Sequence, residues 1–369
     1  MATSSTSSTS HLLPAFLTQS KADIHAKFID LEWQQRNRLL QGTQPLPSAN
    51  PHQAARSKQW SRLTGKDIAG RNRYVNVEPF ANNRVKLKVA DGVNDYINAS
   101  PIQLGNRKYI ATQGPKDTSV NHFYRMLAAE VESPAVVVML TQTHEAGKEK
   151  CFQYYPLTEE ESPLIINEEA DNSDGFSGEV HLDSAMDDEN SRSQLRKMRL
   201  RTGTPENPNS EMEIRHLLFS GWPDFLIPEG EDRIALIELI RLSASLNRPS
   251  STSTSTETNG SYSSHAASFA ATDQDNPRII HCSAGVGRSG TFIALDYLLS
   301  LLHSNQLDNV PPDQDPIADT VDSLRQQRMM MVQGESQFFF LYEVLREQMM
   351  ARLASGGDAN GGAQDGNGA

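Results

Sequence analysis

The sequence predicts an α/β protein, with one large domain built on a sheet and helices packed against it. Three observations carry this. A β-branched apolar run, Arg278-Ile279-Ile280, leads through His281 into Cys282, a small-residue loop and a long apolar stretch from Thr291, which reads as strand, loop, helix. Ala135–Met139 is an unbroken apolar run of strand length, the pattern of a strand buried on both faces. Residues 196–201 and 212–219 alternate as half-buried strands do, and residues 234–246 then repeat at helical spacing.

The remaining elements follow in chain order. Ile24, Phe28 and Leu31 recur at helical intervals and predict a helix from Lys21, with two short helical pieces before Gly70. Asn72 to Val77 opens the sheet region. Residues 95–100 and 109–115 are strand-and-turn segments, and residues 121–132 form a helix. The polar, proline-bearing stretch 202–210 is a turn between strands. Ile317, Val321 and Leu324 mark one late helix face, and Phe338, Leu341, Tyr342 and Leu345 mark the last.

A chain of 369 residues has room for one large domain with decorations, or two small ones. Apolar residues make up only 37% of it, which is low for a chain packed throughout. The unpacked parts are legible by composition. Residues 1–18 are a Ser/Thr-rich lead, 248–276 a Ser/Thr-rich low-complexity insert, and 354–369 a Gly-rich tail, each expected to be disordered. Residues 157–190 carry twelve Asp/Glu and no Lys or Arg, so this acidic insert alone accounts for the net charge of −12. The remainder is neutral, so the acidity says little about any pocket, but it argues against nucleic-acid binding. With only Cys151 and Cys282, no secretory pattern and no apolar run of transmembrane length, the expectation is a soluble, monomeric protein of the reducing cytoplasm. The nucleus is the alternative location.

Candidate chemistry sits at Cys282. Lone buried cysteines are usually packing residues. Here the thiol is followed by Ser283, Ala284, Gly285, Val286 and Gly287, then by Arg288, at a strand-to-helix junction. Two glycines let the backbone turn tightly, and the loop amides with the helix N-terminus form an anion site. Arg288 brings a planar fork suited to two phosphate oxygens. In that setting Cys282 is expected as a thiolate, a nucleophile aimed at phosphorus. Cys151 has no such surroundings and is expected to be packed.

The run His281 to Gly290 resembles the signature loop of the cysteine-dependent protein tyrosine phosphatases, as non-receptor, single-domain enzymes. The resemblance extends from about residue 21 to 353, interrupted by the two inserts. It implies a twisted mixed central sheet flanked by helices on both faces, and hydrolysis of phosphotyrosine in proteins through a phosphocysteine, without metal or other cofactor. It also implies roles. Asn72-Arg73-Tyr74 is similar to the phosphotyrosine-recognition loop, with Tyr74 stacking on the substrate ring and setting pocket depth. Asn76 stands where the family usually has an aspartate gripping the peptide backbone. Glu145 would hold Arg288, and Lys150 would contact the acid-bearing loop. Trp222-Pro223-Asp224-Phe225 resembles the family's lid, with Asp224 as general acid and Phe225 at the substrate; Leu226 replaces the usual glycine, and Pro228 keeps the far hinge. Gln333 would orient the hydrolytic water with help from Gln337, and Gly334 replaces the usual threonine. Ser289 would hydrogen-bond Cys282, and His281 would order the loop. The alternatives are a dual-specificity or phosphoinositide phosphatase, or an inactive phosphotyrosine-binding module.

Overall fold

The structure is a computed structural model that describes residues 13–43, 59–167, 176–203, 210–224, 226–247 and 274–358. Its centre is an eight-stranded mixed sheet in the order β1-β2-β10-β3-β9-β8-β7-β6. The strands are β1 (Ala99–Leu104), β2 (Arg107–Thr112), β3 (Ala135–Met139), β6 (Leu164–Ile166), β7 (Ser177–Asp188), β8 (Ser193–Gly203), β9 (Ser210–Phe219) and β10 (Gln274–His281). A separate two-stranded ribbon joins β4 (His144–Glu145) and β5 (Lys148–Glu149).

The four central strands β2, β10, β3 and β9 run parallel; the outer pairs are antiparallel. Parallel neighbours must be covered on both faces, and the burial of β3, in which all five residues are inside, shows that they are. Helices α1 (Lys21–Thr43), α4 (Glu231–Leu246), α5 (Gly287–His303), α6 (Pro316–Gln327) and α7 (Glu335–Asp358) contribute to one large core. Helix α3 (Val120–Glu130) packs with Tyr154, Tyr155 and the alternate face of β3 in a second. The short α2 (Lys66–Ala69) has no buried residue. Helix α5 carries Phe292, Ile293, Leu295, Leu298, Leu299 and Leu302 inside, so most of the apolar run read as a helix is enclosed, with Tyr297, Ser300 and Leu301 only partly buried.

Four boundaries differ from the sequence reading. The N-terminal lead is packed at its end: Phe16 and Leu17 form a 3-10 turn and are buried, because two large apolar side chains close the Ser/Thr-rich run. The acidic stretch is no appendage. Residues 164–166 and 177–188 are strands of the main sheet, with β7 alternating its carboxylates outward. Asn72–Val77 is a turn region and not a strand. The last helix continues to Asp358, beyond the expected boundary at 354, and its Ser355 hydroxyl donates back to the Arg352 carbonyl. The low-complexity stretch, apart from its end in β10, lies outside the described residues. Its two flanks meet: the Asn247 amide, just after α4, donates to Gln274 Oε1 at 3.1 Å and to the Asn276 carbonyl at 2.7 Å.

Candidate active site

Parallel strands deliver their C-terminal ends to one edge of the sheet, and ligands bind in the crevice there. All four central strands use that edge here. Cys282 follows β10, Gln113 follows β2, the β4–β5 ribbon follows β3, and Trp222 and Asp224 follow β9.

The loop from Cys282 to Arg288 is built around close backbone approach. Gly285 has φ +72°, and a Cβ there would lie 2.1 Å from the Thr112 carbonyl oxygen. No side chain fits. The Gly285 amide donates to Cys282 Sγ at 3.3 Å, so at least one loop N–H is aimed at the sulfur. On the outer side, Arg328 holds the loop from behind. Its Nε donates to the Gly285 carbonyl at 2.9 Å and its Nη2 to the Ala284 carbonyl at 3.1 Å and to Asn98 Oδ1 at 2.7 Å. Carbonyls pulled outward leave the amides of the same peptides facing inward, which is what an anion cradle requires. Val286 accepts from Val332 N at 3.1 Å, and Gly114 N donates to the Ser283 carbonyl at 2.9 Å. Burial pulls the Arg328 guanidinium down to about 10, against the charges of Tyr96 and Cys282.

Arg288 opens α5 and is 3% exposed. Its Nη1 donates to the Leu140 carbonyl at 2.9 Å and to Glu145 Oε1 at 2.6 Å, and its Nη2 to Glu145 Oε2 at 2.6 Å. That paired contact from the β4–β5 ribbon fixes the plane of the guanidinium. Burial pushes the Glu145 carboxyl up, but the hydrogen bonds and charge of Arg288 outweigh it and hold it below the usual range.

Asp224 reaches the same guanidinium. Its Oδ1 accepts from Arg288 Nη2 at 2.7 Å, and its Oδ2 accepts from the Lys150 ammonium. The acid-bearing segment is therefore folded down over the loop. Trp222 anchors it: the indole is 2% exposed and donates to the Leu226 carbonyl at 3.0 Å, closing the segment on itself. Leu226 itself is 58% exposed, so the side chain that replaces glycine there points away from the protein. Burial raises the Asp224 carboxyl, and the Lys150 hydrogen bond with the Arg288 charge more than reverses that, leaving it lowered. Phe225 lies outside the described residues.

The rim carries the remaining candidates. Tyr74 hydroxyl and Ser283 Oγ are 2.8 Å apart, and Ser283 Oγ donates to the Lys150 carbonyl at 2.8 Å, which ties the Tyr74 segment to the thiol loop. Asn76 is exposed on the lip of a groove shared with Trp33, Leu40 and Met330. A Cβ at Gly287 would meet Gln337 Oε1 at 3.1 Å and Gln333 Oε1 at 3.4 Å, so both glutamine side chains lie over the loop. The Gly334 amide donates to Gln337 Oε1 at 3.2 Å. Ser289 departs from expectation. Its Oγ is buried without a partner, so the hydrogen bond to Cys282 is not made in this state; the Gly285 amide is the group that reaches the sulfur. His281 is fully buried, with Nε2 2.7 Å from the Tyr154 hydroxyl and Nδ1 3.2 Å from the Cys282 carbonyl oxygen. Cys151 is buried and in no disulfide, its thiol donates to the Phe152 carbonyl at 3.2 Å, and burial raises it well above the usual range. Among the described residues no group of three or more His, Cys, Asp or Glu side chains could hold a metal ion, and no helix is long and apolar enough to cross a membrane.

Sequence reasoning gave no role to Arg328, Tyr154 or Arg73. The last donates from Nε to the Gly114 carbonyl at 3.1 Å and from Nη2 to the Pro115 carbonyl at 2.7 Å, and so holds the segment bearing Tyr74 onto the end of β2. The only available signal for Arg328 is an arginine inside the otherwise apolar approach to Met329–Val332.

Fold and site together define an α/β domain with a cysteine-centred glycine loop, backed by a buried arginine, at the carboxyl edge of its parallel strands. The family model described as protein-tyrosine phosphatase matches residues 69–347, and the chain belongs to that family. It is 33% identical over 280 residues to tyrosine-protein phosphatase 2 of Schizosaccharomyces pombe, covering 75% of this chain and 34% of that protein. Tyrosine-protein phosphatase 1 of Saccharomyces cerevisiae is 30% identical over 364 residues, covering 90% of this chain and 96% of the yeast protein. The human phosphatidylinositol phosphatase PTPRQ is 34% identical over 282 residues, 74% of this chain but 10% of its own length. The chain thus spans about a third of the first relative and a tenth of the human one. The catalytic domain of human protein tyrosine phosphatase non-receptor type 18 shares the fold, with TM-score 0.63 at 23% identity over 91% of this chain and 99% of that one.

Proposed function

We propose that the protein hydrolyses phosphotyrosine in proteins, in two steps at Cys282. The observation that carries this is the meeting of three groups: a sulfur contacted by a loop amide, a guanidinium clamped by Glu145, and a lid carboxylate resting on that guanidinium. The substrate phosphate takes over the donors of Arg288 that Asp224 occupies in the free protein. Released from that ion pair and set beside a dianion, Asp224 can hold a proton. Cys282 Sγ attacks phosphorus, the bond from phosphorus to the phenolic oxygen breaks, and Asp224 protonates that oxygen. Water positioned by Gln333 then attacks the phosphocysteine. Asp224, now a carboxylate, takes the water's proton, the S–P bond breaks, and inorganic phosphate leaves. Gln337 supports Gln333, Tyr74 and Phe225 flank the substrate ring, and Asn76 accepts from the peptide backbone without charge assistance.

The reading favours phosphotyrosine over shorter phosphoamino acids because Tyr74, fastened to Ser283, raises one wall of the pocket. The kinship with a protein named a phosphatidylinositol phosphatase supports a second reading, hydrolysis of phosphoinositides. One experiment separates them: turnover of matched phosphotyrosine and phosphothreonine peptides, and of phosphoinositide vesicles, by the parent and by Cys282→Ser. Selective phosphotyrosine turnover, lost in Cys282→Ser with peptide binding retained, is the expected result. Faster vesicle turnover would replace the first reading with the second, and peptide binding by a parent without turnover would make the protein a binding module. Two free cysteines and a thiol nucleophile fit a reducing compartment, and we assign the activity to signalling proteins of the cytoplasm or nucleus.

A further inference from the structure

Beneath the thiol loop runs a buried polar chain that the two-step reaction does not use. Strands β10 and β9 flank β3, with His281 beside Met139 and His216 beside Val137, so both imidazoles sit on one face of the sheet. Tyr154 stands between them. Its hydroxyl is 2.7 Å from His281 Nε2 and 2.9 Å from His216 Nε2. Both histidines are 0% exposed and Tyr154 is 1% exposed. At the far end His216 Nδ1 is buried and has no partner. At the near end His281 Nδ1 faces the Cys282 carbonyl oxygen at 3.2 Å.

The proton positions follow by elimination. Burial disfavours the charged form of both imidazoles, bringing His281 down to about 4 and His216 well below its ordinary value. Arg196 from β8 adds to this at His216, and Arg73 at His281. Each ring therefore carries one N–H. A carbonyl oxygen only accepts, so His281 must carry its hydrogen on Nδ1. Its Nε2 is then an acceptor, and Tyr154 must donate to it. The phenol has one hydrogen, so its contact with His216 requires His216 Nε2–H to donate. That leaves His216 Nδ1 bare, which agrees with its having no partner. Other titratable or charged groups face the chain from Cys151, Tyr124 and Tyr155, and Arg288 and Arg328 face the thiol. Among the described residues none of these groups is hydrogen-bonded to either imidazole, so none offers a competing proton.

We propose that His216 is a positioning residue for Cys282: by donating to Tyr154 it obliges the phenol to donate to His281, and so fixes the tautomer whose Nδ1–H holds the Cys282 carbonyl. The inference rests on the proposed role of Cys282 as nucleophile. The Cys282 carbonyl belongs to the same peptide unit as the Ser283 N–H. A hydrogen bond accepted at the oxygen polarises that unit and strengthens its N–H as a donor. In the opposite tautomer a nitrogen lone pair would face the carbonyl oxygen, and repulsion would turn the peptide plane that begins the anion cradle.

The test uses the full chain carrying His216→Leu, His216→Gln, Tyr154→Phe, and the His216→Leu, Tyr154→Phe pair. The readout is the rate of Cys282 alkylation by iodoacetamide across pH, by intact mass, with melting temperature alongside. Leucine cannot donate; the glutamine amide can. His216→Leu and Tyr154→Phe are each expected to move the alkylation profile about one pH unit upward, about a tenfold lower rate on its acid side. The double variant should show no further shift, and His216→Gln should restore most of the loss. A packing role alone would lower the melting temperature of His216→Leu and leave the profile unmoved, which overturns the proposal. Additive shifts in the double variant would overturn it as well. Because Tyr154→Phe removes a single oxygen, it keeps the test readable should the leucine variant fold poorly. Alkylation needs no turnover, so a parent that is alkylated normally yet cleaves no phosphotyrosine refutes the catalytic reading separately.

Discussion

Replacing Asp224 by alanine should pull affinity and turnover in opposite directions. In the free protein its carboxylate accepts from Arg288 at 2.7 Å and from Lys150, donors that an incoming phosphate needs. A charge-assisted hydrogen bond contributes ~1.5–3 kcal/mol. The carboxylate is 29% exposed, so solvent screening discounts the contact to about 1.4 kcal/mol, a factor of about ten in binding. On a Cys282→Ser background, Asp224→Ala should therefore bind a phosphotyrosine peptide about tenfold more tightly by titration calorimetry. Without that background, turnover should fall about 10²–10⁴-fold, the usual worth of a positioned acid. The fall should be larger for an alkyl-like leaving group than for nitrophenolate, which departs without a proton. Equal affinities on the serine background would show that the resting ion pair does not compete with substrate. A smaller loss on the poor leaving group than on the good one would remove Asp224 from the role of acid.

Other outcomes follow from the same geometry. Arg328→Met leaves the Gly285 and Ala284 carbonyls and Asn98 Oδ1 without their donor; at ~1–3 kcal/mol for each buried acceptor, urea unfolding should lose several kcal/mol. Gly285→Ala forces a Cβ to 2.1 Å from the Thr112 carbonyl, and phosphopeptide binding measured on the Cys282→Ser background should be abolished while a control Gly92→Ala binds normally. Burial lowers His281 from 6.5 to about 4. Its unfolded form takes up the proton first as pH falls, so the stability it confers is whole above about 6.5 and is lost on the way down to about 4. Relative to His281→Gln, the parent should lose about 2–3 kcal/mol of unfolding free energy between pH 7 and pH 4.5; equal losses would mean that the imidazole is not held neutral.

How much of this is legible in the sequence depends on how far apart the partners lie. The Cys282 loop is legible because its thiol, its glycines and Arg288 lie within one short run, and strand-loop-helix is a local pattern. Trp222-Pro223-Asp224 is legible by resemblance for the same reason. Arg328 is not, since it holds Gly285 from 43 residues away and Asn98 from 230. Tyr154 meets His281 across 127 residues, and no periodicity encodes that meeting. The acidic stretch misleads because composition reports solvated carboxylates and is blind to the alternate residues: Val180 of β7 is 0% exposed among them. Phe16 and Leu17 are hidden in the same way, two apolar residues at the end of a run whose average is polar.

The clasp between Asn247 and Gln274 has a practical consequence. Strand β10 enters the sheet at Gln274 and ends at His281, so the clasp and the sulfur lie at opposite ends of one strand. The Asn247 and Gln274 side chains that fasten the two flanks are both buried. A fluorescent protein or an affinity tag spliced between these flanks would enter at the end of β10 opposite Cys282. That makes the junction a natural address for reporters, and a place where the chain can change in length without the chemistry registering it.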